Sequence, residues 1–197
     1  MDDEHLTKNA AALFDEVEKW NAFLELTEMS DGIVEHWLIS ATRELRNHGG
    51  DDASGWEMTS WGNEFDTKWY LPEFGEDSVV IGFWDYEFTL SVEDQEAFDI
   101  EIARQQLNEP GFAALRGLFT EFTDPKISQI IGCRPNGMFR FGSPRDGNLP
   151  WAEFAWYTAN RTEEFVEQAI QQVERITKNP EITALVAELN RAARIKA

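Results

Sequence analysis

Residues 79–92 read VVIGFWDYEFTLSV, the longest run of strand-forming residues in the chain. Taken with a period of two, Val80, Trp84, Tyr86, Phe88, Leu90 and Val92 fall on one face, and Asp85, Glu87, Thr89 and Ser91 fall on the other. Val79, Ile81 and Phe83 share that second face, which is therefore apolar at its start and acidic from Asp85 onward, as if something covered only its first half. At about 3.3 Å per residue the run would extend for roughly 46 Å, against a usual strand of about five or six residues, so a bend or bulge is expected near Gly82.

Working upstream, Trp56 to Trp61 and Phe65 to Leu71 read as shorter strands joined through Gly62-Asn63, and Pro72 with the Gly75-Glu76-Asp77 turn leads into the long strand. Successive strands with short links pair as an antiparallel meander, here spanning residues 56–92. Before it, Leu6, Ala10, Leu13, Val17, Trp20 and Leu24 recur at helical spacing over residues 4–28. A second amphipathic helix begins near Ser30 or Asp31, buries Ile33, Val34, Trp37, Leu38, Ala41 and Leu45, and stops at Gly49-Gly50, making an N-terminal helical pair over residues 1–48.

Downstream, residues 93–131 return to helical spacing, with Phe98, Ile102, Ala103 and Leu107, then Phe112, Leu115 and Phe119, then a helical turn with Ile127, Ile130 and Ile131. Met138 to Phe141 and Trp151 to Thr158 read as a two-strand segment within residues 138–158, separated by a polar loop. Asn160 with Glu163 forms a capping-box-like helix start, Asn179-Pro180 breaks that helix, and a final helix follows, so residues 160–197 are helical. The expectation is a single α+β domain over residues 1–197.

Charge is the outstanding compositional feature, a formal −20 over 197 residues. Residues 51–101 hold fifteen acids against the lone base Lys68, whereas residues 126–197 hold ten bases and eight acids. So uneven a distribution implies a local field and disfavours direct binding to nucleic acid or to an anionic membrane, both of which need basic patches. The start, MDDEHLTKNA, has neither the basic nor the apolar region of a signal peptide, and a cytoplasmic protein is expected. Cys133 is the single cysteine, and His5, His36 and His48 lie in no metal-ligand motif, so no cofactor is expected. No phosphate-binding loop or nucleophile elbow occurs.

What remains is an acidic and aromatic constellation, with Trp56, Trp61, Trp69, Tyr70, Trp84 and Tyr86 interleaved among acids. A solvated sheet face over an aromatic core accounts for such alternation, and so does a surface that docks a basic protein. The second reading takes Glu57, Glu64, Asp66, Glu73, Glu76, Asp77, Asp85 and Glu87 as the contact surface of a non-enzymatic protein. Its expected partner is a basic, nucleic-acid-handling protein that it blocks, in the manner of an immunity protein or a DNA-mimicking inhibitor. One strand spaces alternate residues about 6 to 7 Å apart, against one charge per roughly 1.7 Å of duplex DNA, so several elements must contribute to such a surface.

Asp66-Thr67-Lys68 on a strand, with Asp51 or Asp52 upstream and Glu35 or Glu44 on the preceding helix, supports an alternative. This acid-x-Lys pattern and the order helix, strands, helix, strand resemble the PD-(D/E)XK nuclease superfamily. The resemblance implies acids that hold Mg²⁺ and a lysine that positions or activates water, in an active or degenerate domain. The strand expected directly after Lys68 departs from that family's arrangement, and Asp124-Pro125-Lys126 is a second match to the tripeptide.

Overall fold

The computed structural model describes residues 16–49, 55–61, 66–84, 87–119, 129–133, 139–140 and 149–195. The run at 79–92 is not one bent strand but a hairpin of β3 (Val79–Trp84) and β4 (Glu87–Val92). Val79 pairs with Val92, Ile81 with Leu90 and Phe83 with Phe88. Cross-strand partners point to the same side of a sheet, and here partners have opposite parity. The two apolar halves that fell on opposite faces of a single strand therefore lie on one face of the hairpin. Nothing needs to bend at Gly82, which is an ordinary ladder position opposite Thr89. Asp85 and Tyr86 lie outside the described residues.

β1 (Glu57–Trp61) and β2 (Asp66–Tyr70) form where the sequence placed them, and the sheet runs β1-β2-β3-β4-β5 with every neighbouring pair antiparallel. The fifth strand is β5 (Ile130–Cys133), expected as a helical turn. It pairs Ser91 with Ile130 and Thr89 with Cys133, with a register shift between Leu90 and Ser91. The β-branched Ile130 and Ile131 suit a strand, and β4 supplies a ladder that isolated helical spacing cannot outweigh. Ile127 lies outside the described residues.

Seven α-helices are described. α1 (Val17–Glu28) and α2 (Ser30–Gly49) make the N-terminal pair, joined by Met29 alone, and α2 packs chiefly on α5 (Trp151–Asn160) and α6 (Thr162–Thr177). The earlier part of the first expected helix lies outside the described residues. α3 (Ile100–Asn108) starts on Asp99, whose Oδ1 accepts the N–H of Glu101 at 2.9 Å and of Ile102 at 3.1 Å, satisfying two orphan donors of the first turn. A 3₁₀ turn (Pro110–Phe112) leads into α4 (Ala113–Leu118). The last helix, α7 (Pro180–Ala193), has Asn179 as its cap and Pro180 in its first turn, as the sequence implied.

The strand expected from Trp151 to Thr158 is helix α5 instead. Its buried residues Phe154, Ala155 and Thr158 follow helical spacing, while Trp151 and Trp156 stand exposed. The expected strand at Met138 to Phe141 is not found at its two described residues. Phe139 is buried, stacked on Phe165 at 5.1 Å between ring centroids, and the Arg140 N–H donates to Gln168 Oε1 at 2.6 Å. Asn160 ends α5 rather than capping α6, whose first turn is preceded by Arg161.

One sheet face, with Trp69, Val79, Ile81, Phe83, Phe88 and Leu90, joins the helices in one buried cluster that includes Leu45, Phe154, Phe165, Ile176 and Leu189. Phe83 lies with its ring centroid 5.0 Å from that of Phe88 and 6.2 Å from that of Phe165. Val80, Thr89, Ser91 and Ile130 of the other face are buried as well. Among the described residues no helix is long and apolar enough to cross a membrane.

Candidate interaction surface

Antiparallel order decides where the acids go. β1 begins, β2 ends, β3 begins and β4 ends at the same end of the sheet, so the residues flanking those points share one region. Glu57 opens β1, Glu73, Glu76 and Asp77 lie in the β2–β3 connection, and Glu93, Asp94 and Glu96 follow β4. The loops are stitched together by backbone bonds, Glu93 N–H to Ser78 O at 3.1 Å and Asp94 N–H to Asp77 O at 2.9 Å.

The β2–β3 connection is shaped locally. The N–H groups of Phe74 and Gly75 both donate to Leu71 O, Ser78 Oγ donates to Gly75 O at 2.7 Å, and Gly75 sits at φ +84°, a left-handed conformation that a side chain would strain. Glu73, Glu76 and Asp77 are exposed on this connection, and Glu57 is exposed at the start of β1. Two bases enter the region. Arg191 of α7 approaches Glu73 Oε1 at 3.4 Å and lies over the Phe74 ring, while Lys68, only 6% exposed, sets its Nζ 3.7 Å from both Asp77 Oδ1 and Glu93 Oε2. Asp94 Oδ1 accepts the N–H of Glu96 at 2.8 Å and of Ala97 at 3.2 Å, which fixes the chain as it leaves the sheet.

The eight residues read from the sequence are thus divided. Glu57, Glu73, Glu76 and Asp77 share the region just described. Asp66 opens β2 and Glu87 opens β4 at the far end, about 17–20 Å away for strands of this length. Asp66 is only 8% exposed and Glu87 is half-buried, so neither presents a carboxylate as openly as the first four. Glu64 and Asp85 lie outside the described residues. Glu93, Asp94 and Glu96 were not among the eight; the change of apolar parity between Phe83 and Phe88 would have placed them, because it marks the hairpin that brings them back. Of the aromatic side chains, Trp56 and Trp69 are buried, and Trp56 Nε1 donates to Thr183 Oγ1 at 3.1 Å. Tyr70 and Phe74 are the aromatics left half-exposed among these acids.

Tyr70 reports the local field. Its hydroxyl donates to Glu57 Oε2 at 2.7 Å. That hydrogen bond, with burial and the charges of Glu57 and Glu76, raises its pKa from 10.0 to about 12. Because the folded value lies above the unfolded one, the stabilisation is complete below about pH 10 and is lost as pH rises toward 12. A spectrophotometric titration of the phenols is expected to show one group near pH 12, returning toward 10 in Glu57→Gln. An unmoved titration in that variant would remove Glu57 as the cause.

The residues of the nuclease-like pattern lie as follows. Asp66 and Lys68 share one face of β2, with three further antiparallel strands after it. Glu35 and Glu44 are exposed on α2, and Asp51 and Asp52 lie outside the described residues. Among the described residues no three His, Cys, Asp or Glu side chains are grouped to hold a metal ion. Comparison with known proteins gives no match to the chain, whether among family models, curated proteins or solved structures.

Proposed function

We propose that this is a non-enzymatic cytoplasmic protein whose acidic sheet end docks on and blocks a basic, nucleic-acid-handling protein, as an immunity protein or DNA-mimicking inhibitor does. The observation that carries the reading is the gathering of Glu57, Glu73, Glu76, Asp77, Glu93, Asp94 and Glu96 at one end of the meander. Charges act together only when they lie within the screening distance, about 8 Å at physiological salt. Neighbouring strand ends are about 4.8 Å apart, within that distance, so acids contributed by adjoining elements reinforce one another over a wider area than one strand offers. Lys68 and Arg191 offset two of these charges and hold the loops in place, leaving an excess of acids to attract and orient a cationic cleft.

The test is capture from a lysate of the source organism, and of organisms it competes with, at low and then high salt. A basic nucleic-acid-handling protein held at low salt and released at high salt is the expected result. A second bait carries Glu57→Lys, Glu73→Lys, Glu76→Lys and Glu96→Lys. Asp77 is left unchanged there because its carboxylate faces the buried Lys68. Equal capture of the same protein by both baits would overturn the assignment of this surface.

A further inference from the structure

Away from the sheet end, a groove of about 650 Å³ runs between the last turns of α2 and the first half of α6. Its floor is Val166 and Ile170, one helical turn apart, and its surface is mainly apolar. Glu163 and Glu167, also one turn apart on α6, stand exposed along one rim, and Glu44 and His48 stand exposed on α2. Gln171 Nε2 donates to Glu167 Oε1 at 3.0 Å and His48 Nδ1 donates to Glu44 O at 2.9 Å, so the groups at the mouth are partly oriented. The lining includes three carboxylates and neither Lys nor Arg.

We propose that this groove binds a small amphiphilic organic cation, an ammonium or guanidinium group carried on an apolar body. The volume lies within the range of about 300–1,000 Å³ in which small-molecule sites fall, and such sites are mainly apolar with a few polar groups that fix orientation. An apolar ligand satisfies the Val166–Ile170 floor, and the charge at its end is chosen by the rim. An anion meets three carboxylates, a neutral ligand gains nothing from them, and a cation placed at the mouth approaches Glu163 and Glu167, whose i,i+4 spacing sets their Cβ atoms about 6 Å apart.

The experiment uses the full chain, with phenethylammonium as the probe and 2-phenylethanol and 3-phenylpropanoate as its neutral and anionic counterparts. Binding is read from amide shifts in two-dimensional NMR at low salt. Saturable shifts are expected at Glu163 to Gln171 and at Glu44 to His48 with the cation, with the neutral compound weaker by about fivefold and the anion weaker still. Glu163→Gln with Glu167→Gln should weaken the cation by about five- to tenfold, whereas Glu73→Gln with Glu76→Gln, at the sheet end, should change it less than about twofold. The second pair separates a local site from the general attraction of an acidic protein for cations. The proposal is overturned by an absence of saturable shifts in the groove, by equal affinity for the neutral compound, or by equal losses from the two variant pairs.

Discussion

Lys68→Met is expected to lower the free energy of unfolding by about 3 kcal/mol at neutral pH, and Glu93→Gln in the same chain is expected to restore most of that loss. The lysine side chain is 7% exposed and its Nζ stands 3.7 Å from Glu93 Oε2, itself on a side chain 10% exposed, whereas the other partner, Asp77, is 76% exposed. Desolvating a charge is costly, and each of the two buried ions is tolerated because the other is present. Removing the lysine leaves the Glu93 carboxylate in a poorly solvated place with one counter-charge fewer; neutralising Glu93 removes the reason for the penalty. Urea unfolding of the two single variants and the double variant measures the coupling. Equal losses from Lys68→Met in both backgrounds would show that the pair is not coupled. The same experiment bears on the nuclease-like alternative. Any activity lost on substituting Lys68 must be compared with the folded fraction before a catalytic role is assigned.

Asn190→Leu is expected to cost about 3–5 kcal/mol, because it leaves two buried backbone groups without partners at about 1–3 kcal/mol each. Asn190 is fully buried on α7; its Oδ1 accepts the Val79 N–H at 2.8 Å, and its Nδ2 donates to Val79 O and to Val186 O, both at 3.1 Å. The pairing of β2 with β3 reaches Trp69 opposite Ile81, and β2 ends at Tyr70 with Leu71-Pro72 following. Val79 therefore has no β2 residue beside it, and the amide of Asn190, with one acceptor and one donor group, takes the place of a strand residue. Asn190→Asp should also destabilise, since a carboxylate can accept from the N–H but cannot donate to the carbonyl. A loss below about 1 kcal/mol in Asn190→Leu would mean that Val79 finds other partners.

The helices were largely legible because burial follows the 3.6 period directly. In α6, the apolar stripe at helical spacing is Phe165, Val166, Ala169, Ile170, Val173 and Ile176, all buried except the half-buried Ile170, and in α7 the Asn179-Pro180 break marks the start. The hairpin was missed because residues 85–86 are Asp-Tyr, without the Gly or Asn that usually announces a two-residue turn, while strand-forming residues continue on both sides. β5 was missed for another reason: its four residues are too few to carry a period, and its partner β4 lies some forty residues upstream. The acid density of residues 51–101 was plain in the sequence, but its division between the two ends of the sheet was not. That division depends on strand direction, and strand direction beyond Phe83 depends on the hairpin.

The most direct measurement for the acidic sheet end is the association rate of the captured partner with the wild-type chain and with the chain carrying Glu57→Lys, Glu73→Lys, Glu76→Lys and Glu96→Lys, at low and at physiological ionic strength. Electrostatic steering predicts that the wild-type rate falls steeply as salt is added and that the reversed chain associates at least about tenfold more slowly, with its salt dependence flattened or inverted. An association rate unchanged by the four reversals would contradict the assignment of this surface as the docking site.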